Sequence, residues 1–153
     1  MGSCQSHCEA ARISPGGLAV SGFRAHSCDM TERRSVSSGT EWEARYGYRR
    51  AVRLGNVVAV AGTTAPGPDA ATQARAAFQI ALTALAELGG GPEHVVRTRM
   101  FVVDIVRDAE AVGLAHAEAF GEHPPAATMV EVAALIAPDL LVEVEIDAVV
   151  ASG

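Results

Sequence analysis

The chain has 153 residues, 49% hydrophobic and 20% charged, which suits one globular domain with a real core and excludes a fibrous or generally disordered chain. Its net charge is −6, with every positive side chain an Arg; an acidic balance without a basic run excludes a surface that neutralises many phosphates, so no nucleic-acid partner is expected. No apolar stretch approaches the ~20 residues of a membrane-spanning helix, and no signal-peptide-like run follows the start, so no membrane partner is expected and the expected location is the cytoplasm.

Residues 1–29 carry Ser, Gly, His and Cys without periodic patterning, and Ser14-Pro15-Gly16-Gly17 breaks any element there. They are predicted to be a disordered extension upstream of a domain spanning residues 30–153 that opens at Met30. The three cysteines, Cys4, Cys8 and Cys28, all fall in this extension and make no disulfide framework. Cys4, Cys8, His7 and His26 match no standard zinc-finger spacing, so no metal is expected.

Within the domain, Ala51 to Arg53 and Asn56 to Ala61 are apolar segments joined at Gly55-Asn56, a pair suited to the positive φ of a tight hairpin turn. Asp69 to Leu88 places Phe78, Ala81, Leu82, Leu85 and Leu88 on one helical stripe, stopped by Gly89-Gly90-Gly91-Pro92. Val95 to Val103 reads as a strand. Asp108 to Phe120 reads as a second helix, with Val112, His116 and Phe120 four apart, and strands follow at about Thr128 to Leu135 and Leu141 to Val150. The order is ββαβαββ, an α+β domain whose mixed sheet carries two helices on one face and leaves the other uncovered.

Alternation assigns polar residues to the two faces. Val142, Val144, Ile146 and Ala148 share the side expected to meet the helices, and Glu143, Glu145 and Asp147 share the other. By the same parity Arg97 and Arg99 line one face of their strand, and Met129 and Glu131 line one face of theirs. These charges are open to two readings: cross-strand ion pairs on a solvated sheet, each worth about 0.2–1 kcal/mol, or the lining of an intersubunit cleft. His116 is likewise open to a role as general base or as a hydrogen-bonded packing residue, the latter favoured by its place on the Val112 and Phe120 stripe.

The segment from Gly47-Tyr48 through Leu54-Gly55-Asn56 to Gly62-Thr63-Thr64 resembles the opening of the Rid/YjgF (RidA-like reactive intermediate deaminase) family. The likeness continues through Gln73, Asp104, the Pro125 to Val132 segment and Val142-Glu143-Val144-Glu145, covering about Ser37 to Val150. It implies a chorismate-mutase-like fold and a homotrimer with small-molecule pockets between subunits. Known activities in that family are hydrolyses of enamines and imines, with an Arg after Pro-Ala holding the substrate carboxylate; here Ala127 stands in that place, and Ala can offer neither charge nor donors. Ala61 and Met129 also depart from the deaminase pattern. Ser38 to Glu43 is similar to a branch of the family that lacks this Arg.

The resemblance implies an enamine/imine deaminase-like hydrolase. Taken with the strand parity, the expectation is that Glu143 activates water and Tyr48, Arg99, Thr128 and Glu131 surround a small metabolite. No phosphate-cradling Gly loop or metal-ligand spacing occurs in the domain, so no cofactor is expected. Arg99 is open to two roles, replacing the lost guanidinium or pairing with Glu131 or Glu143. Trp42, the single Trp, either caps a pocket or packs beneath the hairpin. The alternatives are a non-catalytic ligand-binding or regulatory trimer and an endoribonuclease, which runs against the acidic balance.

Overall fold

The computed structural model describes residues 32–151, so the expectations for the extension and its cysteines lie outside the described residues. In chain order the elements are β1 (Arg33–Val36), α1 (Glu41–Tyr46), β2 (Ala51–Leu54), β3 (Val57–Thr63), α2 (Ala70–Glu87), a 3-10 turn (Pro92–His94), β4 (Val95–Val102), α3 (Ile105–Phe120), β5 (Ala126–Glu131) and β6 (Val142–Val149). The six strands form one sheet in the order β1-β2-β3-β6-β4-β5. All neighbours are antiparallel except β4 and β5, and that parallel pair needs the crossover that α3 supplies.

The ββαβαββ expectation holds from β2 onward but lacks β1 and α1. β1 is a four-residue edge strand that buries only Val36, and α1 has six residues and buries only Glu43, so neither leaves a hydrophobic period to read. The β2–β3 turn has positive φ at Gly55 alone, at 61°, matching a type II′ turn, in which the first central position takes the glycine. α3 begins three residues before the expected Asp108, because Asp104 caps it by accepting the Arg107 N–H at 3.0 Å. β5 ends at Glu131 instead of running to Leu135.

One face of the sheet is the core. Val58, Val60, Met100, Val102, Val142, Val144, Ile146 and Ala148 are at most 4% exposed and meet α2 and α3. α2 presents Ala70, Ala74, Ala77 and Ala81 with Phe78 and Leu85, small residues that let the helix lie close to the strands. Each large apolar side chain so buried contributes about 1.5–3 kcal/mol. Gln73 ties α2 to the chain ahead of β6: its Nε2 donates to the Gly67 and Asp139 carbonyls, and its Oε1 accepts the Leu141 N–H at 2.8 Å.

Candidate functional site

The opposite face of the sheet carries the charges. β6 puts Glu143, Glu145 and Asp147 there, all half-buried, and the register with β4 sets Phe101 beside Glu143, Arg99 beside Glu145 and Arg97 beside Asp147. Arg99 donates to Glu145 at 3.4 Å and lies 3.0 Å from Asp147. Its ion-pair partners are therefore these two carboxylates and not Glu131 or Glu143, since the register brings the neighbouring β6 residues within reach. Thr128 pairs with Arg99 across β4 and β5 and is exposed on the same face.

Glu131 does not join them. Ala127, Met129 and Glu131 follow Thr98, Met100 and Val102 onto the helix side of the sheet. There the Glu131 carboxylate accepts the Ile105 N–H at the start of α3, at 3.0 Å, where a negative charge is favoured by the helix dipole. Met129 packs against the core. Ala127 is exposed on the edge strand, so its side chain belongs to a different face from that of Glu143.

Glu143 is placed by a β-bulge. Between Val60 and Thr63, β3 advances three residues while β6 advances two, so Ala61 and Gly62 together oppose Glu145. The Glu143 carboxylate lies against Gly62, with no room between them for a side chain. Burial, and then the negative charge of Glu145, push the Glu143 pKa above its ordinary value, opposed by Arg50. Arg50 Nη1 donates to the Gly62 carbonyl at 3.0 Å and to Thr63 Oγ1 at 2.9 Å, while the Thr63 hydroxyl donates to the Ala61 carbonyl. Arg50 received no role in the sequence reading; its signal was its position opposite the Ala61-Gly62 pair, unreadable until the bulge is seen.

Tyr48 reaches this face from α1. The helix ends at Gly47, in the left-handed region at φ 71°, and the Gly47 and Tyr48 N–H groups both donate to the Glu43 carbonyl. The Glu43 side chain is buried at 2% exposure and accepts from the Ser37 hydroxyl and from the Ser38 N–H and hydroxyl at 2.7 and 2.6 Å. Those bonds hold its pKa down at about 2. A groove of about 400 Å³ on this side is lined by Tyr48, Val52, Ala59, Ala61, Glu145 and Asp147, and Glu143 is not among its lining residues. Sequence reasoning missed the Glu43 anchor, although Thr40 and Glu43 have capping-box spacing.

Trp42 does not pack beneath the hairpin. It stands 45% exposed on α1, stacked on Tyr46 with centroids 5.5 Å apart and Arg45 against both rings. His116 is on the helix side, its Nε2 2.8 Å from the Thr98 hydroxyl and its ring against Phe78 and Phe120, and burial lowers its pKa. It is a packing residue remote from the Glu143 face. Among the described residues no three His, Cys, Asp or Glu side chains are grouped to hold a metal ion, and no helix is long and apolar enough to cross a membrane.

Residues 39–150 match the family described as Endoribonuclease L-PSP. The chain is 42% identical over 122 residues to the uncharacterized protein SCO2049 of Streptomyces coelicolor, spanning 75% of this chain and 90% of that one. Among solved structures it is similar to Rv2704 of Mycobacterium tuberculosis, described as a member of the YjgF/YER057c/UK114 family, with 53% identity, TM-score 0.75, and coverage of 78% of this chain and 100% of that one. YyfA of Yersinia pestis, described as of unknown function in the conserved Rid protein family, shares the fold at 22% identity and TM-score 0.67, with 78% of this chain and 100% of that one covered.

Proposed function

Because this chain belongs to the Endoribonuclease L-PSP family, that of the YjgF and Rid proteins, we propose that it hydrolyses a small imine or enamine at a cleft formed where its open sheet faces meet in a homotrimer. The observation that carries the reading is Glu143: a half-buried carboxylate with a raised pKa, seated on Gly62 and within the electrostatic reach of Arg50. A carboxylate whose pKa is raised towards neutrality is a better general base than an ordinary one.

In the proposed reaction Glu143 takes a proton from water as the oxygen adds to the C=N carbon. That proton passes to the nitrogen to give a neutral carbinolamine, whose hydroxyl proton Glu143 then carries to the departing nitrogen as the C–N bond breaks, so that a carbonyl compound and ammonia leave. Tyr48 and Thr128 supply hydroxyls to orient the substrate. Arg99, neutralised by Glu145 and Asp147, stiffens the wall and is given no substrate role, and Glu131 has none. Support for a trimer comes from the same face, where Leu54 and Val57 are each 53% exposed and Val149 43%, apolar surface that a second copy would cover. A cytoplasmic setting fits a small metabolite.

The test is ammonia release from 2-imino acids generated in place by an amino-acid oxidase. Release above the uncatalysed rate, lost in Glu143→Gln, is expected; the uncatalysed rate across a range of imines would overturn the reading. The pairing of Arg99 with two carboxylates favours a second reading, a non-catalytic ligand-binding or regulatory trimer, in which ligands raise the melting temperature without turnover. An RNA substrate is disfavoured by the net charge of −6.

A further inference from the structure

The open face holds several guanidinium groups, and they differ in how their charge is met. Arg99 is held by Glu145 and Asp147. Arg97 and Arg33 are exposed to water, and Arg49 lies 3.9 Å from Glu43. Arg50 is half-buried, and among the described residues it has no carboxylate within ion-pair distance. Its Nη1 takes both of its hydrogen bonds, to neutral acceptors, leaving Nε and Nη2 as donors without an acceptor among those residues.

Two bonds to the β3 bulge fix the guanidinium beside the Glu143 carboxylate. Among the described residues no buried side-chain donor lacks a partner, so Nε and Nη2 face solvent. A guanidinium keeps its charge there, and this free edge, with its position fixed from the other side, can take an anion with two parallel N–H groups. We propose that Arg50 is the anion-binding residue of this site, and that the ligand it selects is a monocarboxylate whose reactive carbon then lies towards Glu143. A carboxylate fits the planar fork with one negative charge. A phosphate dianion would meet repulsion from Glu143 and Glu145. This deepens the imine-hydrolase reading and rests on it for the order of events, but the binding step can be measured without turnover.

The experiment is a thermal-shift titration of the full chain with 2-oxobutanoate, its methyl ester and inorganic phosphate, on the wild type and on Arg50→Gln, Arg50→Lys and Arg99→Gln. The melting temperature of the wild type should rise with 2-oxobutanoate and stay level with the ester and with phosphate. Half-saturation should move upward at least about tenfold in Arg50→Gln and in Arg50→Lys, because an ammonium lacks the fork, and stay put in Arg99→Gln. Circular dichroism checks that each variant is folded, and if Arg50→Gln does not fold, Arg50→Lys decides. The proposal is overturned by wild-type affinity in Arg50→Lys, by loss of binding in Arg99→Gln, by an equal response to ester or phosphate, or by no response in the wild type. Arg50-dependent binding without imine turnover would fell the hydrolase reading alone; turnover with no 2-oxobutanoate response would fell this one alone.

Discussion

Glu143 occupies the space a side chain at residue 62 would need: a Cβ there would collide with Glu143 Oε1 and lie 3.0 Å from Cδ. The clash falls on the free end of a flexible side chain, so the carboxylate would move and the backbone would not. Gly62→Ala should therefore melt close to the wild type while losing about 100-fold in imine hydrolysis, the scale of a base misplaced by an ångström. Parallel melting and ammonia-release measurements check it; unchanged activity would remove Glu143 from the chemistry.

The raised pKa of Glu143 has a sign. The folded chain holds this proton to higher pH than the unfolded one, so the penalty for the charged form appears as pH rises from the ordinary carboxylate pKa through the folded value. Glu143→Gln should melt above the wild type at pH 7, with the difference closing below about pH 4. The same variant should lose about 10²–10⁴-fold in activity. Melting curves across pH give the first, and a pH–rate profile whose acid limb lies above the ordinary carboxylate range gives the second.

Glu43 behaves oppositely. Its pKa, lowered to about 2 by the Ser37 and Ser38 hydrogen bonds, means that its stabilising effect is complete above the ordinary carboxylate range and disappears as pH falls through about 2. Trp42 on the same helix is the single Trp and reports on it. Its emission should hold steady to pH 4 in the wild type and change near pH 2, while Glu43→Gln should show the altered emission at pH 7 together with a higher KM, because Tyr48 is positioned by the Glu43 carbonyl.

Gln73 satisfies three part-buried backbone groups at once. Gln73→Leu fills the volume but strands the Gly67 and Asp139 carbonyls and the Leu141 N–H, each costing about 1–3 kcal/mol if no water replaces the amide. Chemical denaturation should show a loss of at least that size for one group, with the midpoint falling and the slope unchanged.

What could be read from sequence followed from periodicity. The apolar and acidic alternation of β6, the stripe on α2 and the two arginines of β4 all land on the faces their spacing predicts, because each lies in a regular stretch with one side buried. Glu131 shows where the method stops: parity groups it with Met129, but only the β4 register tells that both face the helices. α1 was illegible since its anchor is a buried carboxylate and not an apolar stripe. Arg50 was illegible since its partners are main-chain and hydroxyl oxygens made available by an irregularity in β3, for which the sequence has no period.

That irregularity separates two duties along one strand. Val58 and Val60 answer to the helices, whereas Ala61 and Gly62 answer to Glu143 and Arg50, and beyond the additional residue Thr63 is inside again. Deleting Gly62 would restore uniform pairing with Thr63 still opposite Val144 and inside, but would take away the carbonyl that accepts from Arg50 and the bare backbone on which the Glu143 carboxylate sits, while leaving the packed half intact. Chemistry at this spot can thus drift through small substitutions without disturbing the architecture, but length cannot.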